Sequence, residues 1–178
     1  TNTVLGTITL TAGGGGSAFQ SDAGKLTLAG NIAPNTTGRE IYLRGDGDGE
    51  ISGIIANGST VNMPVFKDQG AGTWILSGAN TYSGQTVINQ GTLQVGNGGT
   101  TGVLGTGLVT NFGVLAFNRG DAMTVNNLIS GTGELRQMGG GTSILTASNT
   151  YSGTTRVRAG ALGLTGWGAI AASTTLQI

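Results

Sequence analysis

Side chains able to do chemistry are few in this chain. Its 178 residues include no histidine and no cysteine. That removes Ser–His–Asp and Cys–His nucleophile systems, imidazole and thiolate metal sites, and any disulfide framework. Carboxylates remain, and their densest run is Arg44-Gly45-Asp46-Gly47-Asp48-Gly49-Glu50. In an extended strand Asp46, Asp48 and Glu50 project from one face, with neighbours ~7 Å apart. Such a pair suits acid–base cleavage of a glycosidic bond, and hard oxygen ligands suit calcium. The spaced glutamate of an EF-hand and the Gly-rich calcium repeat are both missing. The same residues also read as a glycine-rich, solvated turn. Arg44-Gly45-Asp46 and Arg119-Gly120-Asp121 are both Arg-Gly-Asp tripeptides. On an exposed loop this tripeptide is an integrin-recognition signal, the arginine supplying a cationic fork and the aspartate a carboxylate for the receptor's metal. Each copy also sits between an apolar strand and an Ile-Ser-Gly segment, which is the position of a structural turn.

Elements of one kind must position these residues. Gly accounts for 36 residues and Pro for only 2, and the glycines separate short apolar runs rather than forming a linker. Charged residues are 9% of the chain, with eight acids balancing eight bases, against ~25% in an average domain. No basic stripe exists to follow a phosphate backbone, so nucleic acid is excluded as a partner. No apolar run approaches the ~18 residues of a membrane-spanning helix, so no membrane insertion is expected within this chain. No signal peptide or initiator Met precedes Thr1, and the chain reads as a mature fragment or an excised piece.

Apolar residues alternate with a period of two, which specifies strands and leaves no convincing helix. The recurring unit is an apolar–x–apolar pair bounded by Gly or Asn: Ile8/Leu10, Leu26/Leu28, Ile41/Leu43, Leu93/Val95, Leu115/Phe117, Leu162/Leu164 and Leu176/Ile178. Both members of a pair share one face, expected to point inward, while the residue between points out. Thr86/Ile88 and Thr155/Val157 form a similar inward pair, with Val87, Asn89, Arg156 and Arg158 outward. Trp74 alternates with Leu76, which places both inward. Strands this short bury an apolar face only by stacking coils into a solenoid. Gly13–Gly16 is the most flexible stretch on composition, and no linker divides residues 1–178.

The chain also repeats itself. Residues 70–95 and 139–164 align without a gap, Tyr151 following Tyr82 by 69 residues. Leu76, Asn80, Gly84, Gly91 and Leu93 correspond to Leu145, Asn149, Gly153, Gly160 and Leu162. Fixed self-similarity marks a repeat architecture. One coil takes about 20–25 residues, so the offset corresponds to roughly three coils and the chain to roughly eight. In each Asn-Thr-Tyr-Ser-Gly corner the Asn caps the turn, Gly permits positive φ, and the Tyr ring covers the coil edge with its hydroxyl in water.

This text, Asn-Thr-Tyr-Ser-Gly followed by a short strand and Gln-Gly-Thr-Leu-Gln-Val, resembles the autotransporter-associated β-strand repeat of bacterial passenger domains. The resemblance implies an all-β, right-handed parallel β-helix of a secreted or surface-displayed protein, with repeats associated with export. In that family the place of Asn118-Arg119-Gly120-Asp121 often reads Asn-Arg-Ser-Asp, which implies a structural turn. The expected function is a non-enzymatic extracellular stalk or spacer needing no cofactor, catalytic residue or metal. The alternatives are an adhesin or self-associating surface protein, whose partners are copies of itself or host and matrix molecules, and a polysaccharide-active β-helix enzyme.

Overall fold

The alternation described above folds, in a computed structural model, into a solenoid of short parallel strands. Residues 2–11, 15–170 and 172–178 are described. Gly13 and Gly14, the start of the glycine tract expected to be flexible, lie outside them. Among the described residues there is no helix, and every strand pair is parallel.

Each coil passes three faces. One carries a nine-stranded long sheet from Asn2–Val4 to Leu176–Gln177, whose strands neighbour one another in chain order. Nine strands make eight steps from coil to coil. A second face carries a six-stranded middle sheet, from Ser17–Gln20 through Ile41–Arg44, Val65–Lys67, Thr86–Ile88 and Val109–Asn111 to Ile129–Ser130. The third face is interrupted. Ile8–Leu10 pairs with Ile32–Pro34 near one end, and Ala122–Val125, Thr142–Leu145 and Ala161–Leu164 form a three-stranded sheet near the other. Isolated bridges join Ile32 to Ile55 and Ala79 to Val103 between them.

Matching registers stack the inward residues into columns. Leu93 lies in register between Trp74 and Leu115, and Val95 between Leu76 and Phe117, all fully buried. Trp74 thus points inward as expected, and its Nε1 donates to the Arg44 carbonyl at 3.0 Å. The indole has room because Gly49 is its register partner, and a Cβ there would collide with the Trp74 ring. Gly49→Ala overpacks this point and is expected to lower stability by about 1–3 kcal/mol, read as a shifted midpoint in denaturant unfolding.

Four expectations change. The 69-residue offset is not a whole number of coils. Three steps along the long sheet lead from Trp74 through Leu93 and Leu115 to Leu135. The residue equivalent to Trp74 is Ser143, one face further on. The repeat therefore advances three coils and one face: the first copy's strands 73–76 and 92–95 lie in the long sheet, whereas their counterparts 142–145 and 161–164 lie on the third face.

The pairs Leu162/Leu164 and Leu176/Ile178, expected inward, are not enclosed. Leu164 is 44%, Leu176 54% and Ile178 97% exposed, because no later coil covers them among the described residues. Some outward positions, conversely, are covered. Ala116 is buried between the longer Gln94 and Arg136 on its register line, the Gln94 amide donates to the Gly96 carbonyl, and Val87 is only 9% exposed. Finally, the corner tyrosines are fully buried, hydroxyl included, for the reason given below.

Candidate functional site

The Asn-Thr-Tyr-Ser-Gly corners follow buried strands, and their N–H groups bond to the backbone of the preceding coil, Thr81 and Tyr82 to the Ile55 carbonyl and Thr150 and Tyr151 to that of Ile129. The groups these bonds leave over must be satisfied by side chains. Asn80 does this in both directions along the solenoid. Its Oδ1 accepts from the Ile55 N–H of the preceding coil at 2.9 Å, and its Nδ2 donates to the Val103 carbonyl of the following coil at 2.8 Å. Asn149 repeats the arrangement between the Ile129 N–H (2.9 Å) and the Ala169 carbonyl (3.1 Å). Each asparagine is a clamp on three successive coils.

The tyrosines fill the interior beside these clamps. Tyr82 shares a hydrogen bond with the Thr86 hydroxyl at 2.8 Å, and Tyr151 with that of Thr155 at 2.6 Å. A threonine four residues on replaces the water expected for each hydroxyl. Burial pushes both phenols above their ordinary pKa. The Tyr-x-x-x-Thr spacing occurs in both copies and was a readable signal for this partner. Gly84 and Gly153 do not take the positive φ expected of the corner; they are glycine because they pack directly on the backbone of the previous coil at Met63 and Gly133, whereas Gly91 and Gly160 hold φ of +71° and +65° before the next strand. Leu76, Leu93 and Leu145 are fully buried, while Leu162 is partly buried near the last coil.

The carboxylate run does place Asp48 and Glu50 on the outer side of one strand, with Gly49 inward. Each acid is engaged with neighbouring coils. Asp46 accepts from the Ala71 N–H at 2.8 Å and Asp48 from the Thr73 N–H at 3.1 Å. Glu50 is a hub, taking Lys25 Nζ (2.6 Å), Ser77 Oγ (2.6 Å) and Asn97 Nδ2 (3.1 Å) from coils on both sides. The sequence reading missed this hub, because its partners come from three different coils. Among the described residues no cluster of three or more acids could hold a metal ion.

Both Arg-Gly-Asp tripeptides are tied into the surface. Arg44 pairs with Asp68 at 3.2 Å and stacks on the Tyr42 ring at 4.8 Å, while Asp46 holds Ala71. Gly45 has φ +100°, and a Cβ there would strike the Ser21 carbonyl. In the second copy the arginine grips its own aspartate: Arg119 Nε and Nη2 reach the two Asp121 oxygens at 2.8 and 2.6 Å, and Nη1 donates to the Gly102 carbonyl at 3.2 Å. Gly120 lies exposed between them. Arg136, through two bonds of 2.6 and 2.9 Å, and Arg156, at 2.9 Å, share Glu134. Lys67 is fully buried, its Nζ donating to the Gly70 carbonyl at 2.9 Å, and burial lowers its pKa. Alternation with Val65 was the readable signal that Lys67 points inward.

Several of these acids share a pH signature. Burial alone would raise the Glu50 pKa, but Lys25, Ser77 and Asn97 outweigh it and hold the carboxyl below its ordinary range. Arg119 lowers Asp121, and Arg136 lowers Glu134. A depressed folded-state pKa contributes stability that is present above the unfolded value, near pH 4, and is lost as pH falls through the folded value. The thermal midpoint is therefore expected to drop on acidification below about pH 4, and Glu50→Gln should reduce that drop in melts recorded across pH.

The family model for the passenger-associated transport repeat matches residues 68–95 and 135–164. The chain is also 41% identical over 122 residues to a protein of Brucella suis biovar 1 (strain 1330) named Adhesin BmaC autotransporter, an alignment covering 67% of this chain and 3% of that relative. The chain therefore spans a small fraction of the length of the curated relative it matches. No solved structure matches it. The two matched repeats are the two asparagine-clamped corners with their flanking strands, and the chain belongs with autotransporter passenger domains that carry these repeats.

Proposed function

We propose that this segment is a non-enzymatic structural part of a surface-displayed or secreted passenger, and that its repeats serve export by passing a folded register from one coil to the next. The observation that carries the reading is the two-way clamp of Asn80, whose carbonyl is satisfied by the preceding coil and whose amide awaits the following one. A coil emerging outside the membrane finds that amide already in place, and each coil added opposes backsliding of the chain. Engagement of Asp46, Asp48 and Glu50 with neighbouring coils favours this role over glycoside cleavage.

The test is the rate at which the passenger becomes protease-accessible on the cell surface. In the full-length protein, Asn80→Ala combined with Asn149→Ala is expected to slow that rate severalfold without changing the amount synthesised. Unchanged display would refute a role in export and leave the clamps as purely stabilising contacts.

Adhesion is the second reading, favoured by the name of the Brucella relative. Saturable binding to host cells or matrix is its signature. Because both arginine–aspartate sets are engaged within the chain, such binding is expected to survive Asp46→Ala with Asp121→Ala.

A further inference from the structure

The outer sides of the faces differ in chemistry. Along the long sheet the outward register line runs Glu50, Ile75, Gln94, Ala116, Arg136, Arg156, polar at four of six positions. Along the middle sheet it runs Tyr42, Phe66, Val87, Thr110. Tyr42 and Phe66 stack with ring centroids 4.9 Å apart. Away from the first and last coils, the most exposed large apolar side chains among the described residues are Val61 (81%), Leu108 (59%), Phe112 (53%) and Leu128 (37%). Leu108 and Phe112 flank strand Val109–Asn111, Leu128 precedes Ile129–Ser130, and Val61 lies in the turn leading to Val65–Lys67. Leu108 and Leu128 adjoin on paired strands of this face, Phe112 lies at its other flank and Val61 in a turn beside it. Isolated exposed hydrophobes need no explanation, whereas apolar groups gathered on one face do.

We propose that this face docks against the same face of a second copy, the two solenoids lying side by side, pointing the same way, with their coils in register. The residues flanking the central line decide the partner and its direction. A two-fold axis parallel to the solenoid axis brings the residue before each strand opposite the residue that follows the central position of the same strand on the partner. Glu40 then faces Arg44, Gln85 faces Asn89 and Leu108 faces Phe112, which are opposite charges, paired amides and paired apolar groups, while Pro64 faces Asp68 and Leu128 faces Thr132. An opposed arrangement keeps the flanks on their own sides and sets the charged Glu40 end against Leu108 and Leu128. Within each copy Arg44 also pairs with Asp68, and Glu40 accepts from the Tyr42 hydroxyl at 2.6 Å, so on closing the face Glu40 draws its counter-charge from Arg44 of the second copy.

The size suffices. Six strands at about 4.8 Å, each with three outward positions about 7 Å apart, span roughly 29 by 20 Å, or about 1,100 Å² over both copies, and a specific interface needs about 1,000 Å².

The experiment is sedimentation equilibrium of the chain, joined to engineered disulfides, which are unambiguous because the chain has no cysteine. A reversible dimer is expected, weakened about 30-fold or more by Leu108→Asp with an unchanged far-UV circular dichroism spectrum. Phe112→Asp, also on an exposed side chain, replaces that variant if it fails to fold. Mixing Gln85→Cys with Asn89→Cys protein should give a disulfide-linked heterodimer, while Gln85→Cys alone should not link to itself. A monomer at all concentrations, a dimer indifferent to these aspartates, or ready self-linking of Gln85→Cys would each overturn the proposal.

Discussion

Replacing Leu93 by aspartate is expected to lower the stability of the central coils by more than about 4 kcal/mol. Leu93 is fully buried, with Trp74 below it and Leu115 above it in the same column. A carboxylate there is enclosed by apolar side chains, and the inward cation Lys67 is already held by the Gly70 carbonyl. Its counterpart in the second repeat should behave differently. Leu162 pairs with Ser143 on one side and is only partly buried, so Leu162→Asp is expected to lose less than about 1.5 kcal/mol. Denaturant unfolding of the two variants measures the contrast. Equal losses would mean that Leu162 is as enclosed as Leu93, against the partial burial of the last coil.

The second large effect is expected at the clamp. Asn80→Ala removes the acceptor of the Ile55 N–H and the donor to the Val103 carbonyl together. Two groups left unsatisfied at a buried corner amount to about 2–4 kcal/mol. Solenoid coils contact chiefly their neighbours, so the loss should be local. Hydrogen exchange is the suitable measurement: protection should fall around Ile55 and Val103 while the coils near Leu135 and Tyr151 keep theirs. Asn80→Asp separates the two halves of the clamp, because a carboxylate still accepts from Ile55 but cannot donate to Val103. It is expected to cost at least as much as the alanine variant, with the exchange concentrated on the following coil.

Much of this architecture is readable from residue order. Alternation assigned Ile41, Leu43, Leu93, Val95, Leu115 and Phe117 to the interior, and all are buried. The repeat identified the corners and the family. The phase of the repeats was not readable, because coil length varies with the turns. Gly49 to Trp74 spans 25 residues, whereas Trp74 to Leu93 spans 19, and no local signal in either stretch fixes its length. The candidate site was legible in part for a related reason. Asn80 declared itself as a corner residue, but its partners Ile55 and Val103 lie one coil away on either side. Glu50 was visible as an acid in a glycine-rich run, but not as the meeting point of Lys25, Ser77 and Asn97. Long-range side-chain contacts depend on which coils become neighbours, and that follows from the fold as a whole.

The displacement of the repeat by one face has a mechanical consequence. Clamped corners in line along one edge would make a rod stiff in one plane and pliant in the other. Copies spaced as these two are instead place successive clamps on successive edges, returning to the first edge after about ten coils. A longer shaft built at this spacing would resist bending equally in every direction, as a screw thread distributes load around its axis.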